Sequence, residues 1–438
     1  MELYKIIVVI ILQNIQYKNK QLVLDMLKAE LLNNFGYITE LATVVNPKKY
    51  HSIQKVFYRQ IFNIIIIQTK IIVAIIKYYN IDFIRIAIDD TLVYRSRKEK
   101  VPNGGEQYDH SNKANRKAHV YGQKWLAIII VLNINGFQIS VPLWIHLVKP
   151  KRNMITTTTV ILQEIRKIMN KESLKDLKVE IVMDSWFAKK RLITRVLERC
   201  KFSVISMARV DTICREALKP LAVGEKRKPG RPKTKGEKIV VEMKDLTNKI
   251  TLQLYSKMQE IQYVSKICKA DFLGGMEILA IWVSFDGKGM RFILSTDTTL
   301  SVAEVLKRYE QRWSIENMFN ELKNNFRFKD IMVHQVATYY QFFYFKIWCY
   351  TIIKLTSTSN INKIKEYVIE MLPWRVQNDK SIKITAGITK LAMKSFFSSL
   401  EISVILPKMP LNKVKRFNKN RKPLNRAIKG DRKLVMSG

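Results

Sequence analysis

Apolar residues recur along this chain with two different periods. Over residues 1–80 they fall at three- and four-residue intervals, which predicts a mostly helical stretch. From residue 83 the pattern changes to short apolar runs separated by polar segments. Residues 83–88 (FIRIAI) and 179–183 (VEIVM) are strand signals, and each runs straight into acid: Asp89-Asp90 after the first, Asp184 after the second. Between them lie strand signals at 126–133 and 137–145, with Asn135-Gly136 as a hairpin turn. A helix is expected at about 156–170, then an amphipathic helix at 189–200 and a strand at 202–208.

Residues 210–300 carry little helical periodicity but four strand-like runs, at 239–243, 250–255, 278–285 and 290–295, the last two joined by Asp286-Gly287. Helical spacing then returns. Ser301 followed by Glu304 reads as a capping box and starts a helix predicted to run from about 302 to 326. A long aromatic and apolar helix is expected at 336–355. Its polar residues, like those interrupting 61–76, argue against a membrane span. The apolar run at 6–12 is short and has no small-residue cleavage site, so it reads as buried helix too. Residues 406–438 are dense in Lys and Arg with Pro and Asn, the composition of a disordered basic tail.

Composition narrows the partner. The 438 residues leave room for two or three domains, and 47% hydrophobic content is globular. Seventy-six Lys and Arg against 37 acidic residues leave a formal charge of +39, which favours a polyanion. Nucleic acid is the first candidate and an anionic membrane the second. The four cysteines, Cys200, Cys214, Cys268 and Cys349, are far apart with no C-x2-C pair, and read as core residues in a reducing cytosol rather than as zinc ligands or disulfide partners.

The stretch 307–330 is the most informative. Tyr309, Arg312, Glu316 and Lys323 follow the spacing Y-x2-R-x3-E-x6-K, which on a helix confines them to roughly a 60° sector. Ile315, Phe319, Leu322 and Phe326 form an apolar stripe beside that sector. An amphipathic helix with a charged border explains these facts. So does a helix that packs while presenting a polar edge to chemistry. Two carboxylates at the end of a buried strand likewise have two explanations, a bound divalent cation or a strand end that reaches solvent.

The spacing resembles the YREK signature of the DDE transposases of bacterial insertion sequences, and the strand and helix order with its two upstream aspartates is that of their ribonuclease H-like core. The resemblance spans roughly residues 80–330. It implies a mixed α/β sheet with flanking helices, interrupted by a β-rich insertion and preceded by a helical region. It also implies that Asp90, Asp184 and Glu316 are catalytic carboxylates holding two Mg2+ (or Mn2+) ions, with Asp89 the alternative to Asp90, since a one-residue slip reverses the face. Tyr309, Arg312 and Lys323 would contact the transposon end.

The expected organisation is a helical DNA-end-binding region at 1–80, with Lys48, Lys49, His51, Lys55, Tyr58 and Arg59 as its basic and aromatic stretch. The core would follow at 81–209, the insertion at 210–300, the catalytic helix at 301–330, a helical region at 331–405 and the tail at 406–438. A polar, basic loop at 95–124 is expected beside the first carboxylate, placed to hold phosphates. Within the insertion, 226–233 (KRKPGRPK) resembles an AT-hook centred on Arg231, with Pro229 where the usual Arg would precede Gly230, and a basic, disordered loop is the alternative reading. Trp282 and Phe292 are expected in the core, with stacking on an unpaired base as the alternative.

The function implied is metal-dependent cleavage at an element's ends and strand transfer into target DNA, by a homodimer in a synaptic complex. Location would be cytoplasmic, at the bacterial nucleoid, with no membrane partner. A nuclease of the same fold without strand transfer, and a non-catalytic basic nucleic-acid-binding protein, are the competing classes.

Overall fold

The helical periodicity of the N-terminal stretch resolves into α1 (Leu3–Gln13), α2 (Lys20–Leu32), α3 (Ile38–Val45), α4 (Tyr50–Tyr58) and α5 (Ile64–Tyr78). These come from a computed structural model that describes residues 2–99, 101–109, 119–134, 136–218, 235–285, 287, 289–372 and 384–397. The elements that follow are β1 (Phe83–Tyr94), β2 (Gly105–Tyr108), β3 (His119–Ile134), β4 (Phe137–Val148), α6 (Met154–Lys171), β5 (Lys178–Met183), α7 (Lys190–Arg195) and β6 (Ser203–Ala208). The insertion contributes β7 (Cys214–Arg215), β8 (Lys238–Ile239), β9 (Asn248–Leu254), β10 (Lys257–Ala270), β11 (Met276–Phe285) and β12 (Met290–Ser295). Last come α8 (Val302–Glu310), α9 (Ser314–Asn325), α10 (Val336–Ser359), α11 (Ile361–Met371) and α12 (Ala386–Phe397). The chain divides into two units, Met1–Ala74 with Ala337–Gly438, and Ile75–Val336.

The first unit is an all-helical body around a cluster of rings. Phe57, Phe62, Phe342, Phe345 and Trp348 stack and edge against one another at centroid separations of 5.0 to 6.2 Å. Helix α10 is buried along most of its length, so its polar residues need internal partners. Gln341 supplies both halves of a backbone pair: its Oε1 accepts from Phe62 N–H at 3.0 Å, and its Nε2 donates to Phe62 C=O at 2.9 Å. Trp348 Nε1 donates to Gln68 at 3.0 Å, and Lys346 pairs with Glu30 at 2.9 Å with both side chains almost wholly buried. Among the described residues, no helix is long and apolar enough to cross a membrane.

The second unit is built on one mixed sheet. Its order is β2-β3-β1-β5-β6-β12-β11-β10-β7-β8, with β4 paired to β3 and β9 to β10. The centre is parallel, β1 with β5 and β5 with β6, and is apolar on both faces: Ile86, Ala87, Ile88, Ile181, Val182, Val204 and Ile205 are essentially inaccessible. The β3–β4 hairpin runs antiparallel beside β1. The parallel pairing of β1 with β5 stops at Ile88 and Met183, which sets Asp89, within β1, beside Asp184, just past β5. The first strand does not end at Asp89-Asp90 as expected but runs on to Tyr94, because its far half pairs with β3. Flanking helices cover this centre, with α8 against β5 and β6, and α9 against β1, β3 and β4.

The insertion is β-rich as expected, and it extends the same sheet, since β12 pairs antiparallel with β6 from Phe292–Ala208 to Ser295–Ile205. Three of its four expected strands appear as β9, β11 and β12. The fourth, at 239–243, shrinks to the two residues of β8, and the longest strand, β10, had no counterpart in the sequence reading. Its run KMQEIQYVSKICKA mixes polar and apolar residues because exposed positions fall on both of its faces. Trp282 and Phe292 are buried against each other at 5.1 Å and form core. The hairpin residues Asn135 and Asp286, the AT-hook-like run with Arg231, and the tail at 406–438 lie outside the described residues.

Gln341→Leu would leave the Phe62 N–H and C=O buried without partners. It should lower stability by roughly 2–5 kcal/mol in urea unfolding, against less than about 1 kcal/mol for an exposed change such as Lys55→Gln.

Candidate active site

The signature helix is not continuous. Ser301 caps α8 through the expected box, accepting from Glu304 N–H at 3.3 Å while Glu304 accepts from Ser301 N–H at 2.9 Å. The helix then tightens into a 3-10 turn at Gln311–Trp313 before α9 begins at Ser314. The Ser314 hydroxyl bonds back to the Gln311 carbonyl, and the Gln311 side chain is drawn to Arg85 on β1. These side-chain partners favour the tighter winding, which a reading of periodicity alone had passed over. Ile315, Phe319, Leu322 and Phe326 are all buried, as their stripe predicts.

Strand alternation separates the two neighbouring aspartates. Asp89 lies on the face of β1 that meets the signature helix: its Oδ2 accepts from Arg312 Nη1 at 2.7 Å. Arg312 Nη2 also donates to Glu316 Oε1 at 3.0 Å, so one guanidinium bridges two carboxylates. Thr91, on the same face, accepts from Lys323 Nζ at 2.8 Å. Asp90 turns the other way and pairs with Lys124 Nζ at 3.2 Å, whose ammonium also lies 5.5 Å from the Trp186 ring centre. Of the two alternatives, Asp89 is the one brought to Arg312 and Glu316.

Asp184 follows β5 in a tight turn, its Oδ1 accepting from the N–H groups of Trp186 and Phe187 at 3.0 and 3.3 Å. It is close enough to Asp89 to act on its charge. Burial raises the Asp89 pKa, the Arg312 ion pair opposes that, and Asp184 and Asp90 add to it, leaving the carboxyl at about 7. Tyr309 is buried, and burial pushes its phenol up to about 12, so it stays protonated with its oxygen turned to the Arg312 guanidinium, which donates to it. Thus Tyr309, Arg312, Glu316 and Lys323 share one edge, and Asp89 and Asp184 meet it from the sheet.

Among the described residues, no group of three or more His, Cys, Asp or Glu side chains is arranged to hold a metal ion. Arg312 stands between Asp89 and Glu316 in this geometry. The donor chemistry still suits a hard cation, since the set is carboxylate oxygen throughout.

Several residues of the site were not picked out from sequence. Tyr255, at the tip of the β9–β10 hairpin, donates its backbone N–H to Glu310, and its exposed ring meets that of Trp313 at 6.0 Å. Arg95, read as part of a phosphate-holding loop, is instead turned inward. It bonds Gln123 at 2.9 Å and the carbonyls of Lys329 and Ile331, tying the end of β1 to the turn after α9. Strand β3 begins at His119, inside this supposed loop, and β2 pairs with β3 within it. Lys100, Lys113, Arg116 and Lys117 lie outside the described residues.

The sequence model of the family described as Transposase DDE domain matches residues 82–352, more than half of the chain, and the chain belongs to that family. No curated protein matches it.

Because the folded-state pKa of Asp89 lies above its unfolded value of 3.8, the folded state holds this proton more tightly. The resulting stability is full below about pH 4 and is lost as pH rises through 7. In metal-free buffer Asp89→Asn should therefore be more stable than the parent at pH 8, by up to about 4 kcal/mol, with the gap closing toward pH 4. Urea unfolding at pH 4.5 and 8, conditions chosen at about the two limits, measures it.

Proposed function

We propose that this protein is the transposase of an insertion sequence, cutting DNA at the element's ends and joining the freed ends to target DNA. In this reading the core is ribonuclease H-like and the helix is of the YREK kind. The observation that carries it is the meeting, on one face of the sheet, of Asp89 and Asp184 from neighbouring parallel strands with Arg312, Glu316 and Lys323 from one helix edge. Asp89, rather than Asp90, is assigned as the first catalytic carboxylate, with Asp184 and Glu316 as its partners.

These three carboxylates would hold Mg2+ or Mn2+, two ions per site, which when bound activate a water or 3′ hydroxyl and offset charge on the leaving oxygen. The protein's own work is positional. Turn hydrogen bonds fix Asp184, and the β1 backbone and Arg312 fix Asp89. Arg312 has the planar fork suited to a phosphate flanking the scissile bond. Lys323 supplies a second cation along the same edge, and Tyr309 a phenol donor. The exposed Lys48, Lys49, His51, Lys55, Tyr58 and Arg59 on and beside α4 form a basic surface suited to the element end. Two copies, one per end, would assemble on DNA at the nucleoid.

Purified protein with DNA carrying the element's own ends tests this reading. Nicking and joining should require Mg2+ or Mn2+, and an inert mixture rejects the proposal. Cutting without joining would point to a nuclease instead. Glu316→Gln, Asp184→Asn and Asp89→Asn should each abolish cleavage while end binding persists in a gel shift. Asp90→Asn should retain measurable cleavage, and the reverse ranking of Asp89 and Asp90 overturns the assignment.

Lys323→Ala should mainly weaken end binding and reduce the slope of log K against log salt by about 1. A salt titration of end binding reads this directly, and an unchanged slope removes Lys323 from the phosphate contacts.

A further inference from the structure

Close to the carboxylates sits a second ionic cluster that the proposed chemistry does not use. Glu180 on β5 is 1% exposed, and both of its oxygens are taken. Arg85 Nε of β1 donates to Oε1 at 2.6 Å, and Arg308 Nη1 of α8 donates to Oε2 at 3.0 Å. Arg85 also donates to the Gln311 side chain in the 3-10 turn. Both guanidiniums lie over the Phe83 ring, at 5.2 and 5.8 Å from its centre.

The positions of these charges follow the site. Arg85 stands four residues before Asp89, Glu180 four before Asp184, and Arg308 four before Arg312. On a strand an even offset returns to the same face, and on a helix four residues is about one turn. The cluster therefore ties together the three elements that carry the site, one step back along each. A buried triad of this kind adds little net stability over an apolar filling of the same shape. It is far less tolerant of sliding, because directional bonds to two oxygens of one carboxylate fix two guanidiniums at once.

We propose that Glu180 is a positioning residue of the active site: by gripping Arg85 and Arg308 together it sets the register of α8 and α9 against β1 and β5, and so the approach of Glu316 to Asp89 and Asp184. This rests on the active-site reading given above.

The test uses the full chain with Glu180→Gln, which keeps shape and loses charge, and Glu180→Asp, which keeps charge. Three properties are read: Mn2+ binding followed by electron paramagnetic resonance, single-turnover cleavage of end-bearing DNA, and the unfolding temperature. Glu180→Gln should lose about tenfold or more in Mn2+ affinity and up to about a hundredfold in cleavage rate. Its affinity for end DNA should stay within about threefold of the parent, and Glu180→Asp should recover most of both losses. Mn2+ affinity and cleavage within about twofold of the parent in Glu180→Gln overturn the proposal, as does equal damage in Gln and Asp variants, the mark of a packing defect. If Glu180→Gln does not fold, Arg308→Gln, at the partly exposed end of the cluster, faces the same two outcomes. If neither folds, Glu180 is a stability element and the proposal fails. A parent protein that binds Mn2+ yet neither nicks nor joins DNA rejects the transposase reading, and the Mn2+ comparison then decides the positioning role alone.

Discussion

The site depends on the guanidinium of Arg312. Carboxylates brought together in a partly buried place repel one another, by about 4 kcal/mol for two unit charges 4 Å apart at the effective dielectric near a protein surface. Arg312 touches two of them, Asp89 at 2.7 Å and Glu316 at 3.0 Å, and replaces repulsion with charge-assisted hydrogen bonds. The compensation is incomplete, since burial and Asp184 still hold the Asp89 carboxyl near 7. A crowding of carboxylates that a fixed arginine only partly compensates is the electrostatic condition that suits an added cation.

Such a balance works only if the parts cannot drift. The parallel pairing of β1 with β5 fixes the strand ends through backbone hydrogen bonds and a core with almost no accessible surface. Among the described residues the helix has no comparable backbone link to the sheet, and side chains supply the registration. Arg85 and Gln311 join the 3-10 turn to β1, Glu180 joins Arg308 to β5, and Arg95 fastens the turn after α9. The tightening at Gln311–Trp313 thus belongs to the same set of constraints as the site.

What was legible in the sequence was what local period encodes. The start of the strand that carries Asp89 and Asp90, the strand before Asp184, the hairpin between them, the capped start of α8 and the buried stripe of Ile315, Phe319, Leu322 and Phe326 all follow from spacing, whereas the run of β1 on to Tyr94 depends on its pairing with β3. Asp89 and Asp90 were indistinguishable because strand period alone does not say which face a helix will cover. That is settled by the 3-10 turn that carries Arg312, 223 residues beyond Asp89. Glu180 and Arg85 read as interruptions in apolar runs, because their partners are 95 and 128 residues away. Strand β10 escaped notice because half-exposed strands carry a weak pattern. Gln341 looked like one polar residue among aromatics, and its partner, the Phe62 backbone, leaves no trace in composition.

Net charge is a coarser guide than it first looks. A surplus of +39 suggests a surface covered in cations, yet Arg85, Arg95, Arg308 and Arg312 are directed at carboxylates, amides and carbonyls inside the second unit. Arginine is suited to that work, because its planar fork makes several directional bonds and is less strongly hydrated than an ammonium. The exposed cations on and beside α4 are chiefly lysines, compact charges on flexible stems that act through the field they create. The basic surplus therefore divides by placement. These four arginines are directed at internal partners, while the exposed cations make the surface attractive to a polyanion.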